Sequence, residues 1–290
     1  HTRAHDARVA ALRARVDALA DAEPREIFAA LRDAERAHRD VLRIHRWSLM
    51  DADLLFGLLK RLVAAWIDRA RAHEIAARLV ADVPNKTLEV DAALREIKSW
   101  TPRGRAVGSW KLQAFLAEHG HRSFSLDIAV PTFAEEPEQV RRLLESAENG
   151  TQTSHVLSEA EGADERGQEK TLPRIFWQRW IFNSVLLLAR KYVGLREDQR
   201  YYWQKSLAVA RHLYLLLAER LAADGVIAER DAIFYATHPE LVDYFDGRVT
   251  QDELARVIAA RREEWRAYER EFAESSAASY PAFLRGDVPF

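Results

Sequence analysis

Four side chains that could do chemistry crowd one stretch of this chain. His119, His121, Arg122 and Asp127 fall within nine positions, in FLAEHGHRSFSLDIAVPTFAEEPEQVRRLL, residues 115–144. A guanidinium fork suits phosphate or carboxylate. His119 and His121 could be a metal pair, but they flank a turn glycine and no third ligand stands at helical spacing, so no metal ligand is assigned. A second set lies further along. Arg179, Asn183 and Arg190 are spaced by four and then seven residues, which puts them within ~40° of one another at about 100° per residue. Arg196, Arg200, Gln204 and Arg211 make a similar line, with Glu197 beside the first of them. Arginines on core helices need anionic partners. For any one of them, internal pairing with Glu197, Asp198, Glu219 or Asp127 is the simpler outcome; for the whole set an anion-binding cleft competes.

Asp127 sits among Phe124, Leu126, Ile128 and Val130. That setting predicts a partly buried carboxylate paired with Arg196 or Arg200, with Arg122 turned into the cleft. Stranding one member of such a pair costs about 3–5 kcal/mol.

The elements that must hold these residues read as helices. Gly120 is placed to close the helix 109–119 in a left-handed turn, and Pro137 to open the next one behind Glu135 and Glu136. Residues 126–130 read as an extended loop in preference to a strand. Apolar spacing of 3.6 predicts further helices over 4–20, 24–47, 51–71, 72–81, 87–97, 173–193, 196–224 and 252–274, with short ones at 232–235 and 238–245. Breaks are expected at 101–104 and at Gly194, and a stop at Gly225. The helix 173–193 is apolar almost all round, which predicts a buried central helix. The fold class expected is all-α: a multi-helix globular domain of roughly ten helices with no substantial sheet. Two lobes are expected, 1–148 and 173–290, on either side of a mobile linker at 149–172 rich in Gly, Glu, Thr, Ser and Gln. They could equally be one integrated domain.

Composition excludes several function classes. The chain has 290 residues and no cysteine, so disulfides, thiolate metal sites and a cysteine nucleophile are ruled out. That agrees with a reducing, cytoplasmic location. With 43 basic against 45 acidic residues, no overall positive field invites nucleic acid. No apolar run reaches the about 18–20 residues of a membrane span. The chain opens on His1 with no signal-peptide pattern, as expected of a piece of a longer protein. There is no GxxxxGK[ST] loop, GxGxxG turn, GxSxG elbow or HExxH helix.

Several separated segments resemble, in order, the helical central domain of the phosphoenolpyruvate synthase-type dikinases, in the branch of the rifampicin phosphotransferases. They are VPNKTLEVDAALREI (83–97), FLAEHGHRSFSLDIAVPTFAEEP (115–137), YVGLREDQRYYWQKSLAVAR (192–211), ERDAIFYATHPEL (229–241) and RREEWRAYE (261–269), with the exit PAFLRGDVPF. The resemblance implies an acceptor-binding domain of an ATP-dependent phosphotransferase. The parent enzyme converts ATP, acceptor and water to AMP, phosphorylated acceptor and phosphate, through a phospho-histidine on a swivelling domain. It implies ATP and Mg in the parent, no cofactor in this chain, and as partners a small-molecule acceptor with the ATP-grasp and phospho-histidine domains. The residues it would place in substrate or phosphate binding are Arg122, Asp127, Arg196, Glu197 and Arg200, with His121 and Arg179 added from the pattern above. No catalytic residue is implied here, and the chain is expected to be inactive in isolation. Trp110, Trp177, Trp180 and Tyr201 would wall an apolar acceptor pocket. The competing expectation is a stand-alone, non-catalytic helical binding or interaction module.

Overall fold

The computed structural model describes residues 2–81, 83–100, 109–146, 173, 175–274, 284–285 and 288–289. The expected linker at 149–172, the break at 101–104 and most of the exit tail lie outside the described residues. Within them the protein is all-α. The helices are α1 (Thr2–Ala18), α2 (Pro24–Trp66), α3 (Ala72–Ala81), α4 (Lys86–Trp100), α5 (Ser109–His119), α6 (Pro137–Ser146), α7 (Phe176–Ala223), a 3-10 helix (Arg230–Tyr235), α8 (His238–Phe245) and α9 (Gln251–Glu274). The extended structure described is a two-residue antiparallel pair, β1 (Leu284–Arg285) with β2 (Val288–Pro289), in which Leu284 faces Pro289 and Arg285 faces Val288.

Two helices are longer than the sequence predicts. α2 runs 43 residues without the expected break near Trp47–Asp51. Its inward line, Ile27, Leu31, Ala34, His38, Val41, His45, Ser48, Ala52, Leu55 and Leu59, advances in alternating steps of four and three, the heptad rhythm of a packed helix. Three polar members, His38, His45 and Ser48, hide that rhythm from a search for apolar residues. α7 runs 48 residues straight through Gly194. A Cβ at Gly194 would sit 2.9 Å from Val83 Cγ1, so the glycine lets the 83–84 segment approach the helix and does not end it. The first part of α7 is also not the buried helix expected: Phe176 (86% exposed), Trp177, Trp180 (69%), Leu187 and Leu188 face solvent.

The chain divides into two units. The first comprises residues 1–14 and 33–210. Within it α2 and α7 run antiparallel: Trp66 meets Trp177 edge-on at 5.7 Å, His45 meets Gln199, and His38 meets Ser206. One core cluster joins Leu59 and Val63 of α2, Ala76 and Val80 of α3, and Phe182 and Ala189 of α7. A second joins Val90 and Ile97 of α4, Leu112 and Phe115 of α5, Phe133 of the segment that follows α5, Val140 and Leu144 of α6, and Tyr201 of α7. Asn85 caps α4 by accepting the Leu88 N–H at 3.0 Å, and the Lys86 N–H donates to Asp198 Oδ1 at 2.7 Å, which ties the start of α4 to α7.

The second unit comprises residues 15–32 and 211–290. Phe28 stacks on Phe245 at 4.5 Å, among buried Leu217, Leu221, Ile233, Leu241 and Leu254. α7 stops at Gly225 (φ +72°), where the Val226 N–H returns to Leu221 O and the Gly225 N–H to Ala222 O, a Schellman closure. Thr237 and Glu240 form a capping box at the start of α8. Arg261 of α9 donates to both oxygens of Glu240, and this pairing pulls the Glu240 carboxyl down to about 2.

Candidate functional site

The site is built on the loop 120–136, which closes on itself. The Phe133 N–H donates to Arg122 O (2.7 Å) and the Ala134 N–H to Gly120 O (2.9 Å), so the two ends of the loop are zipped together beside the end of α5. Gly120 is not left-handed, contrary to expectation: the positive-φ glycines described are Gly225 and Gly247. Its requirement is space, because a Cβ there would lie 2.2 Å from Leu116 O and 2.9 Å from Ala134 Cβ. Residues 126–130 form bends and turns. Phe133 is buried against Phe124, and Gln204 of α7 donates its amide to Ser123 O at 2.8 Å, pinning the loop to the long helix.

The loop sets its polar residues in different surroundings. His119 is buried against Phe115. His121 lies perpendicular to the Tyr201 ring at 4.6 Å, and its Nε2 is buried with no partner among the described residues. Burial, reinforced by Lys205 and Arg122, pushes the His121 imidazole down to about 3, so it is neutral at physiological pH. Arg122 is half-buried. Its guanidinium makes no hydrogen bond or ion pair to a described residue. Burial, with the positive charge of Arg200, lowers its pKa, against the opposing pull of Asp91 and Tyr201. Asp91 of α4 is itself raised by burial, offset by Arg122 and Arg95. Loop, α4 and α7 therefore put Arg122 within electrostatic reach of Asp91 and of the exposed Arg200, although the three are far apart in the chain.

The other expected site residues are placed elsewhere. Asp127 is exposed and closes a local turn: its Oδ1 accepts the Ala129 N–H at 2.9 Å while its own N–H donates to Ser125 Oγ. The buried pair with Arg196 or Arg200 does not form, because the aspartate satisfies itself within its own loop. Arg196 instead meets Glu197 at 3.2 Å and Asp53 at 3.7 Å. Arg179 is exposed on α7, seventeen residues before Arg196, about 25 Å along the helix axis. Arg190 donates to Leu79 O at 2.8 Å, closing α3. In the second unit Arg211 lies over the Phe234 ring at 5.0 Å. Of the four aromatics expected to wall a pocket, Trp110, Trp177 and Trp180 are exposed, whereas Tyr201 (4% exposed) is core. Asp91 and Asp53 carry no motif and were invisible to sequence reasoning. Lys86 and Lys205, within 6 Å of the Tyr201 ring, were likewise not legible.

Comparison with known proteins places this arrangement in a family. The profile described as the rifampicin phosphotransferase fourth domain matches residues 45–197, more than half of the chain. That span holds His121, Arg122, Asp127, Arg179, Arg196 and Glu197, and it stops three residues before Arg200. The chain is also 28% identical over 193 residues to a rifampicin phosphotransferase of Streptomyces sviceus, an alignment covering 61% of this chain and 22% of that protein. The chain thus spans about a fifth of the length of that relative. Sequence pattern, helical architecture and profile agree, and the chain belongs to the rifampicin phosphotransferase fourth-domain family.

Proposed function

We propose that this chain is the acceptor-binding domain of an ATP-dependent phosphotransferase. Its parent reaction takes ATP, acceptor and water to AMP, phosphorylated acceptor and phosphate, by way of a phospho-histidine carried on another domain. One observation carries the reading: the Arg122 guanidinium, half-buried and without a hydrogen bond to the described residues, feels the charge of a second, exposed arginine, Arg200. Two guanidinium groups with one half-buried carboxyl, Asp91, leave a net positive locus, which attracts an anion and stabilises charge that develops on a transferring phosphoryl group. Exposed Trp47, Met50 and Leu54 lie on the part of α2 that follows His45, which meets Gln199 next to Arg200, and they provide apolar surface for a bulky acceptor.

The name of the Streptomyces relative makes rifampicin the first acceptor to test. A native-state ligand raises the melting temperature by mass action. Rifampicin is expected to raise it for the wild-type chain and to raise it less for Trp47→Ala. No shift with rifampicin or with inorganic phosphate would favour a non-catalytic interaction module over acceptor binding.

A further inference from the structure

A layer of imidazoles lies inside the first unit, away from the loop. Ser206 Oγ donates its hydrogen to Trp203 O at 2.8 Å, so toward His38 it can only accept, and His38 Nδ1 is the donor at 2.9 Å. His45 Nδ1 likewise donates to Gln199 Oε1. Both imidazoles flank the Trp203 ring, at 5.7 and 5.8 Å. From α1 comes His5, 7% exposed, near the Tyr202 backbone, with its Nε2 buried and without a partner among the described residues. The carboxylates nearby are already opposed by cations. Asp6 of α1 is held by Lys205 of α7 at 2.8 Å, and Asp40 of α2 by Arg8 of α1 at 2.8 Å. Asp6 and Asp40 still favour a charged His5, but burial outweighs them.

We propose that this layer is a pH-operated latch: the first part of α1 docks on α2 and α7 while His5 and His38 are neutral, and acidification releases it. An imidazolium sealed in this layer would be desolvated without a free counter-ion. Burial pushes His38 down to about 4, with His5 adding to the effect, and burial lowers His5 as well. The sign follows from linkage. A group whose pKa is lower when docked than in the released helix binds more protons in the released state. Docking is therefore undiminished above the ordinary histidine value of about 6.5 and is lost as pH falls toward about 4. His38 sits on α2 and stays beside Ser206, so its contribution at about pH 4.5 is at most about 75-fold, reached when release of α1 returns its whole shift. Val9 and Leu12 are buried apolar anchors that do not titrate, so the release is graded.

Amide hydrogen exchange of the 290-residue chain, followed by mass spectrometry and corrected for intrinsic rates, reads the latch directly. Between about pH 7 and pH 4.5, amides of residues 5–13 are expected to lose protection on the order of 50-fold, while those of 207–221 keep theirs. In the double variant His5→Leu, His38→Gln the same α1 amides are expected to stay protected at the lower pH. Unchanged protection in the wild type, or an equal loss in the double variant, overturns the proposal. If the double variant has already lost α1 protection at neutral pH, carbon-13 titration of the wild-type imidazoles decides. A His38 resonance titrating near 4 supports the latch, and one titrating at the ordinary value of about 6.5 overturns it.

Discussion

Arg122 and Asp127 are five residues apart in one loop and have opposite environments. Arg122 is half-buried beside a like charge, whereas Asp127 is exposed in a turn that its own carboxylate closes. Asp127→Ala removes one exposed turn hydrogen bond and is expected to cost about 0.5 kcal/mol, not the about 3–5 kcal/mol of a stranded buried pair. Arg122→Ala removes a poorly solvated charge that no hydrogen bond repays. Its stability is expected to stay within about 0.5 kcal/mol of wild type, or to rise. Its affinity for inorganic phosphate is expected to fall, because a guanidinium without a protein partner is available to a ligand. Urea melts of the two variants, with phosphate titrations by calorimetry, check both statements. A large stability loss in Asp127→Ala would contradict the exposed-turn reading, and unchanged phosphate binding in Arg122→Ala would remove Arg122 from the site.

At the scale of elements, two glycines separate space from conformation. Neither Gly120 nor Gly194 has positive φ, yet each is where another segment comes close. At Gly120 the obstruction is the Leu116 carbonyl, which is backbone and cannot turn aside. Gly120→Ala is therefore expected to cost about 3 kcal/mol or more and to loosen the loop that carries Arg122. At Gly194 the obstruction is a Val83 methyl, and alanine restores about 0.5–1 kcal/mol of helix preference. The net cost there is expected to be about 1 kcal/mol. Thermal melts order the two; a Gly194→Ala loss equal to that of Gly120→Ala contradicts the backbone-versus-side-chain argument.

At the scale of the whole molecule, the chain covers 22% of its Streptomyces relative and is matched by the profile of a single domain of that family. Its sequence holds neither of the glycine-rich phosphate-binding patterns, GxxxxGK[ST] and GxGxxG. The purified 290 residues are accordingly expected to form no AMP from ATP, with or without acceptor. Chromatographic detection of AMP above a heat-denatured control would contradict that expectation. None of the described helices is long and apolar enough to cross a membrane.

Much of this was legible before any coordinates, and the reason is locality. The all-α class follows from 3.6-residue periodicity, and the stop at Gly225 from a Schellman closure confined to residues 221–226. The start of α8 follows from Thr237 and Glu240, three positions apart. The family, too, was recognisable from short segments in order. Where polar residues occupied an inward line, as His38, His45 and Ser48 do in α2, local reading split one helix into two. Which charges surround Arg122 was not legible, because its loop meets α7 through Gln204 and Ser123, 81 positions apart. Nor was the exposure of Trp177 and Trp180, since apolar composition specifies what a helix would bury and not whether a neighbour covers it. Periodicity, caps and turns are contests between adjacent residues, which the sequence states directly. The burial of a charge and the company it keeps are set by distant segments, and only the tertiary structure decided them.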